Sequence, residues 1–147
     1  MRPIKFRAWH TKLNKMFSSA EMSADQLTLD VNGRGFINVS SISTSMSTFA
    51  YEKMIPMQFT GLHDKNGKEI WEGDIWSDGT DSGVVVFGHY EADTGTPQSN
   101  SRHNWTHTFT GWHVKTKYPT YEGETITLSD GGEVLGNIYE HKHLLNK

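Results

Sequence analysis

The 147-residue chain contains no cysteine. Disulfide scaffolds, zinc–thiolate centres and thiol nucleophiles are therefore excluded, and a reducing cytoplasm suits such a chain. No run of 18 apolar residues occurs, so no membrane-spanning helix is expected. The opening "MRPIKFRAWH" carries charge within its first seven residues and has no apolar run behind it, unlike a secretory leader. The expected location is cytoplasmic, without a membrane partner. Excess charge of either sign is also missing. Fourteen Lys and Arg stand against 17 Asp and Glu, a net of -3, and a domain that grips nucleic acid over its whole surface is usually basic. Apolar residues are sparse at 35%, whereas aromatic residues reach 12%, which points to a small core built from rings. Catalytic signatures are absent too. There is no Gly-Lys-Ser or Gly-Lys-Thr of a phosphate-binding loop, no Gly-x-Ser-x-Gly elbow and no His-Glu-x-x-His. No enzyme activity and no cofactor are expected.

What is present is strand periodicity punctuated by glycine. "IKFRAWH" alternates, with Ile4, Phe6 and Ala8 on one face and Lys5, Arg7 and Trp9 on the other, the pattern of a strand with one buried face. "KLNK" reads as a turn. "LTLDVNGRGFINVS" reads as a hairpin about Asn32-Gly33. "KMIPMQFTGL", "EIWEGDIW" (kinked at Gly73), "GVVVFGHY", "WTHTFTGWHVKTK" and two strands around Asp130-Gly131-Gly132 complete the set, with "GVVVFGHY" the best central strand. The only helix expected is a short one at the C-terminus, within "IYEHKHLLNK". The fold class is therefore mainly β, a small barrel or barrel-like sheets of short antiparallel strands, forming a single domain over 1–147.

Charge is unevenly placed. Residues 1–20 hold Arg2, Lys5, Arg7, Lys12 and Lys15 and no acid, whereas residues 64–81 hold six acids and two lysines. Within the second stretch, "QFTGLHDKNGKEIWEGDIW" (residues 58–76) partly echoes a calcium loop at Asp64-x-Asn66-Gly67. The alternation of oxygen ligands stops after Asn66, and the flanks read as strands rather than helices. A hairpin is the better reading, with Asp64 bonding its own turn backbone, Asn66-Gly67 taking positive φ, and Gly61 and Gly73 shaping the backbone before Asp74.

"MQFTGLHDKNGKEIWEGDIW" also resembles the central signature of the YopX family of phage and prophage proteins. "IKFRAWH" resembles that family's opening strand and "VLGNIYEHKHLL" its closing segment, which adds Gly136 and Asn137 to the signature framework. Departures are local: His10, His63, Trp76 and His141-Lys142-His143 stand where the family pattern tends to have an acid, a base, a small aliphatic residue and Asn-Pro-Glu. The resemblance implies a mostly β protein made in a bacterial cytoplasm, and it carries no established activity and no catalytic residues.

Two further clusters need weighing. His103, His107 and His113 lie close in sequence, and His141 and His143 are two apart, a spacing that would share a metal on a strand but not on a helix. With no carboxylate partner in sequence, structural or solvated histidines are the simpler reading, and a His-dependent metalloenzyme is the weakest alternative. On the first strand, Lys5, Arg7 and Trp9, with Lys12 and Lys15 nearby, suit single-stranded nucleic acid, where phosphates pair with cations and bases stack on rings. A solvated or self-associating face explains the same residues. The leading expectation is an accessory protein that binds a host or phage protein or itself, with Trp105, Trp112 or the 92–104 loop at the rim of an exposed apolar patch.

Overall fold

A computed structural model describes residues 3–30, 35–38, 54–93, 106–116 and 125–146. The protein is mainly β, with one sheet curled as a half-barrel and a second sheet. The chain divides into two compact units, residues 1–61 and 62–147.

In the first unit, β1 (Phe6–His10) pairs antiparallel with β2 (Lys15–Phe17) across a turn in which Asn14 adopts φ 48°, and it pairs on its other side with β5 (Met54–His63). A short helix α1 (Ser19–Ala24) follows β2. It is too short to stand on propensity, and its start is fixed by a capping box: the Ser18 hydroxyl accepts from Glu21 N–H while the Glu21 carboxylate accepts from Ser18 N–H. β3 (Leu27–Leu29) and β4 (Phe36–Asn38) form the expected hairpin, while its turn residues Asn32 and Gly33 lie outside the described residues. Ala8, Met22, Phe36 and Met54 make the core, flanked by Phe6, Phe17, Leu27 and Leu29. The first strand departs from the one-faced expectation. Trp9, on the face of Lys5 and Arg7, is 8% exposed, so β1 is covered on both faces at that point.

The second unit holds β6 (Glu69–Trp71), β7 (Asp74–Ser77), β8 (Ser82–Asp93), β9 (Thr106–Thr116), β10 (Thr125–Thr127) and β11 (Glu133–Asn137). Five of them form a sheet in the order β10-β9-β8-β7-β11, which places "GVVVFGHY" at its centre. Consecutive strands β10 and β11 thus occupy opposite edges. A flat five-stranded sheet is about 19 Å from first strand to last. The six steps from Thr127 to Glu133 reach at most about 22 Å fully extended, and the turn at Asp130-Gly131 shortens that below the width of a flat sheet. The sheet must therefore curl, and the connection carries Leu128 inward to Ile70, Trp76, Val85 and Val114, the core of this unit. A 3-10 helix (Lys142–Asn146) closes the described chain. No helix among the described residues is long and apolar enough to cross a membrane.

Candidate functional site

The stretch 58–76 is a framework of backbone contacts. Asp64 is only 5% exposed. One of its carboxylate oxygens accepts from the N–H groups of Asn66 (2.8 Å) and Lys68 (2.9 Å), and the other accepts from Val134 N–H at 3.0 Å. Asp64 N–H donates to Lys68 C=O and Gly67 N–H to Asp64 C=O, closing the turn, with Gly67 at φ 80°. The Val134 bond ties this turn to the start of β11, 70 residues away. Lys65 doubles the tie: its N–H donates to Gly132 C=O, and its ammonium meets the Glu133 carboxylate at 2.7 Å. Burial works against charge on Asp64 more than any other single influence, yet the three backbone donations together outweigh it and hold its pKa below the ordinary 3.8.

The next segment turns a corner. The strand expected at "EIWEGDIW" is broken into β6 and β7 at Glu72-Gly73, where Gly73 takes φ 76°. Asp74, 1% exposed, accepts from Trp71 N–H at 2.9 Å. Gly73 donates to Val85 C=O and accepts from Ile138 N–H, so this corner reaches both β8 and the C-terminal segment. There the buried Asn137 stands opposite Asp74 in the β7–β11 ladder and accepts from the N–H groups of Tyr139 and Glu140. A Cβ on Gly136 would run into the His141 ring. Gly61, at φ 91°, completes the positive-φ glycines of the framework. The local excess of acids has the same explanation: Asp64, Asp74 and Asp78 each accept turn N–H groups.

These contacts join the middle and closing segments of the sequence into one lock. The model of the YopX protein family matches residues 5–146. The chain belongs to the YopX family. A search of curated proteins finds no match. Among solved structures, a crystal structure of protein EF1440 from Enterococcus faecalis is similar to this YopX chain, at 26% identity, with 99% of each chain covered and a TM-score of 0.47.

The described histidines of this YopX protein sit in separate settings, apart from the neighbours His141 and His143. His113 is buried, its Nδ1 3.2 Å from Gly111 C=O and its ring 4.8 Å from that of Tyr90. His141 Nδ1 accepts from Asn137 N–H, and His143 lies in the 3-10 helix, its ring 6.2 Å from that of His141. His103 and the side chain of His107 lie outside the described residues. Among the described residues, no group of three or more His, Cys, Asp or Glu is placed to hold a metal.

The basic strand is largely occupied by its own unit. The Lys5 ammonium sits 4.6 Å over the Phe59 ring, and an Arg7 Nη reaches the Met57 sulfur at 4.0 Å. Lys15 pairs with Glu21 at 2.9 Å and covers the Phe17 ring, and that ion pair, with the Ser18 donations, lowers the Glu21 pKa to about 2. Lys12 lies in the exposed β1–β2 turn. Trp9 is too deeply buried to stack on a base.

Several large apolar residues are exposed among those described, Ile4 and Leu13 most of all, and two of them, Phe87 and Phe109, lie on the paired strands β8 and β9. β8 and β9 pair in eleven consecutive positions, from Gly83↔Thr116 to Asp93↔Thr106. Among the described residues, β7 pairs with β8 at residues 82–84 and β10 pairs with β9 at 113–115, so the distal half of the described ladder is two strands wide, with Gly88 opposite Gly111. Phe87 is 57% exposed and meets the half-buried Trp112 edge-on at 5.2 Å. On the opposite face Phe109, 39% exposed, stacks on Tyr90 at 5.6 Å. Trp112 itself packs against the core of the second unit, and Trp105 and residues 94–104 lie outside the described residues. The signal for Phe87 was its place in the apolar run "GVVVFGHY", which reads as wholly internal until the ladder outruns its described neighbours.

Proposed function

We propose that the protein is a phage or prophage accessory factor that acts in the bacterial cytoplasm by binding rather than by catalysis, and that the β8–β9 ribbon presents its binding surface. The observation that carries this is Phe87. A large ring left more than half exposed beside a half-buried tryptophan, on a ribbon with a second aromatic pair on its other face, is what contact surfaces look like before a partner covers them. The signature residues support the same reading from the other side, because their carboxylates and glycines are committed to backbone geometry. A host or phage protein, or a second copy, is the partner class. Nucleic acid draws less support, since Trp9 is buried and Lys15 is paired with Glu21.

The test is capture from bacterial lysate with tagged wild type and Phe87→Ser, each with and without nuclease. The expected result is a protein retained by wild type after nuclease and lost from the variant. Partners that vanish with nuclease and are indifferent to Phe87 would move the function to the N-terminal basic strand, where charge reversal at Lys5 and Arg7 and a steep salt dependence would follow.

A further inference from the structure

The Asp64 turn holds a reactive pair of residues in check. Asn66 is exposed to water and precedes Gly67. In an Asn-Gly pair no side chain shields the glycine nitrogen, so that nitrogen can attack the preceding amide. Giving its proton to solvent, it forms a bond to Asn66 Cγ; the Cγ–Nδ2 bond breaks and ammonia leaves. Water then opens the cyclic imide. Attack at Cγ returns aspartate, and attack at the Asn66 main-chain carbonyl carbon leaves isoaspartate, with the backbone rerouted through the side chain. In sum, a water is consumed, an ammonia is released and a neutral amide becomes a carboxylate.

The closed turn opposes the first step. Attack requires a Gly67 nitrogen that can shed its proton and an Asn66 backbone that can rotate. Gly67 N–H instead donates to Asp64 C=O at 2.9 Å, and the N–H groups on either side, of Asn66 and Lys68, are both held by the Asp64 carboxylate. The side chain is engaged as well. Lys65 most of all, and the Asn66 amide as well, hydrogen-bond to the Glu133 carboxylate and hold its pKa below the ordinary 4.5, so the amide reaches across to β11.

The product would break what the amide helps to hold. Aspartate at 66 sets a carboxylate against Glu133 where a donor stood, with the Asp64 charge already working against Glu133. Isoaspartate adds a backbone carbon inside the turn and displaces the N–H groups that Asp64 collects.

We infer that Asn66 is a deamidation site that the closed turn keeps silent, and that its conversion to aspartate or isoaspartate parts the turn from β11. The amide is not regenerated, so opening of the turn leaves a permanent mark at residue 66.

The test is peptide mass spectrometry at residue 66 on the full chain, held at mildly alkaline pH in native buffer and in denaturing urea. Deamidation is expected to be slower in the native chain by about tenfold or more, because the reaction tracks the open fraction. Asp64→Ala in native buffer should lie between the two. Equal wild-type rates in native buffer and urea would overturn the silencing whatever the variant does, and so would a folded Asp64→Ala that reacts no faster than wild type. Release of β11 is read by urea unfolding of Asn66→Asp, which carries the product's charge. It should be less stable than wild type, and adding Glu133→Gln, which sets an amide donor against the new carboxylate, should recover part of the loss. Asn66→Asp as stable as wild type, or Glu133→Gln recovering nothing, would overturn the release.

Discussion

Replacing Asp64 with alanine is expected to destabilise the protein by about 3 kcal/mol at neutral pH. Three backbone N–H groups lose a charged acceptor, and hydrogen bonds to charged groups contribute about 1.5–3 kcal/mol each before water compensates. The donors on Asn66 and Lys68 lie in an exposed turn and can rehydrate, which keeps the total well below the sum. The Val134 bond matters most, because it joins segments 70 residues apart. The same carboxylate makes stability depend on pH. Its folded pKa lies below the ordinary 3.8, so its contribution is complete above that value and disappears as pH falls through the lower folded value. Asp64→Asn should flatten this acid limb while losing part of the neutral-pH stability, since an amide supplies one acceptor oxygen where the carboxylate uses two. Urea unfolding of the three proteins across acidic to neutral pH reads both effects. A variant within about 0.5 kcal/mol of wild type at pH 7 would show that Asp64 is not the lock described here.

Gly132→Ala is expected to be at least as damaging, at about 3 kcal/mol or more. The added Cβ would run into the Trp76 indole and the Ser77 carbonyl. Trp76 is 1% exposed and central to the second unit's core, and the carbonyl belongs to a paired strand, so neither can move cheaply. Gly132 also accepts Lys65 N–H, so a shifted backbone would loosen the Asp64 turn as well. The neighbouring Gly131 gives the control. Its Cβ would meet only the Ser129 hydroxyl at 3.7 Å, and Gly131→Ala should change stability by less than about 0.5 kcal/mol. Equal effects at the two positions in thermal or urea unfolding would contradict the packing argument.

Much of the β architecture was legible because period-two alternation and Asn-Gly turns report directly on local backbone. The Asp64 turn could be read from "DKNGK" alone. What Asp64 does for β11 could not, because a bond across 70 residues leaves no local pattern. The six-residue helix α1 was missed although Ser18 and Glu21 form a capping box at the spacing that announces one; its single buried residue, Met22, is too little for a helical period to show. "EIWEGDIW" read as one kinked strand because its apolar spacing survives the corner at Gly73. β10 and β11 looked like neighbours, and only the curl of the sheet explains how so short a connection serves two opposite edges. Trp9 read as a stacking residue because alternation assigns it to the cationic face, and alternation does not say what covers that face. For the candidate site, sequence puts Trp112 at the rim where the fold packs it against the core, and Phe87 could not be named, since exposure depends on where β7 and β10 stop pairing.

Amide hydrogen exchange on the full chain, compared between free and partner-bound protein, tests the division of labour most directly. If the partner is a second copy, dilute and concentrated samples make the same comparison. New protection is expected along residues 86–93 and 106–112, with the hydrogen-bonded amides of the 64–74 framework unchanged. Protection gained instead at residues 58–76 or along β1, with the ribbon exchanging as before, would contradict it.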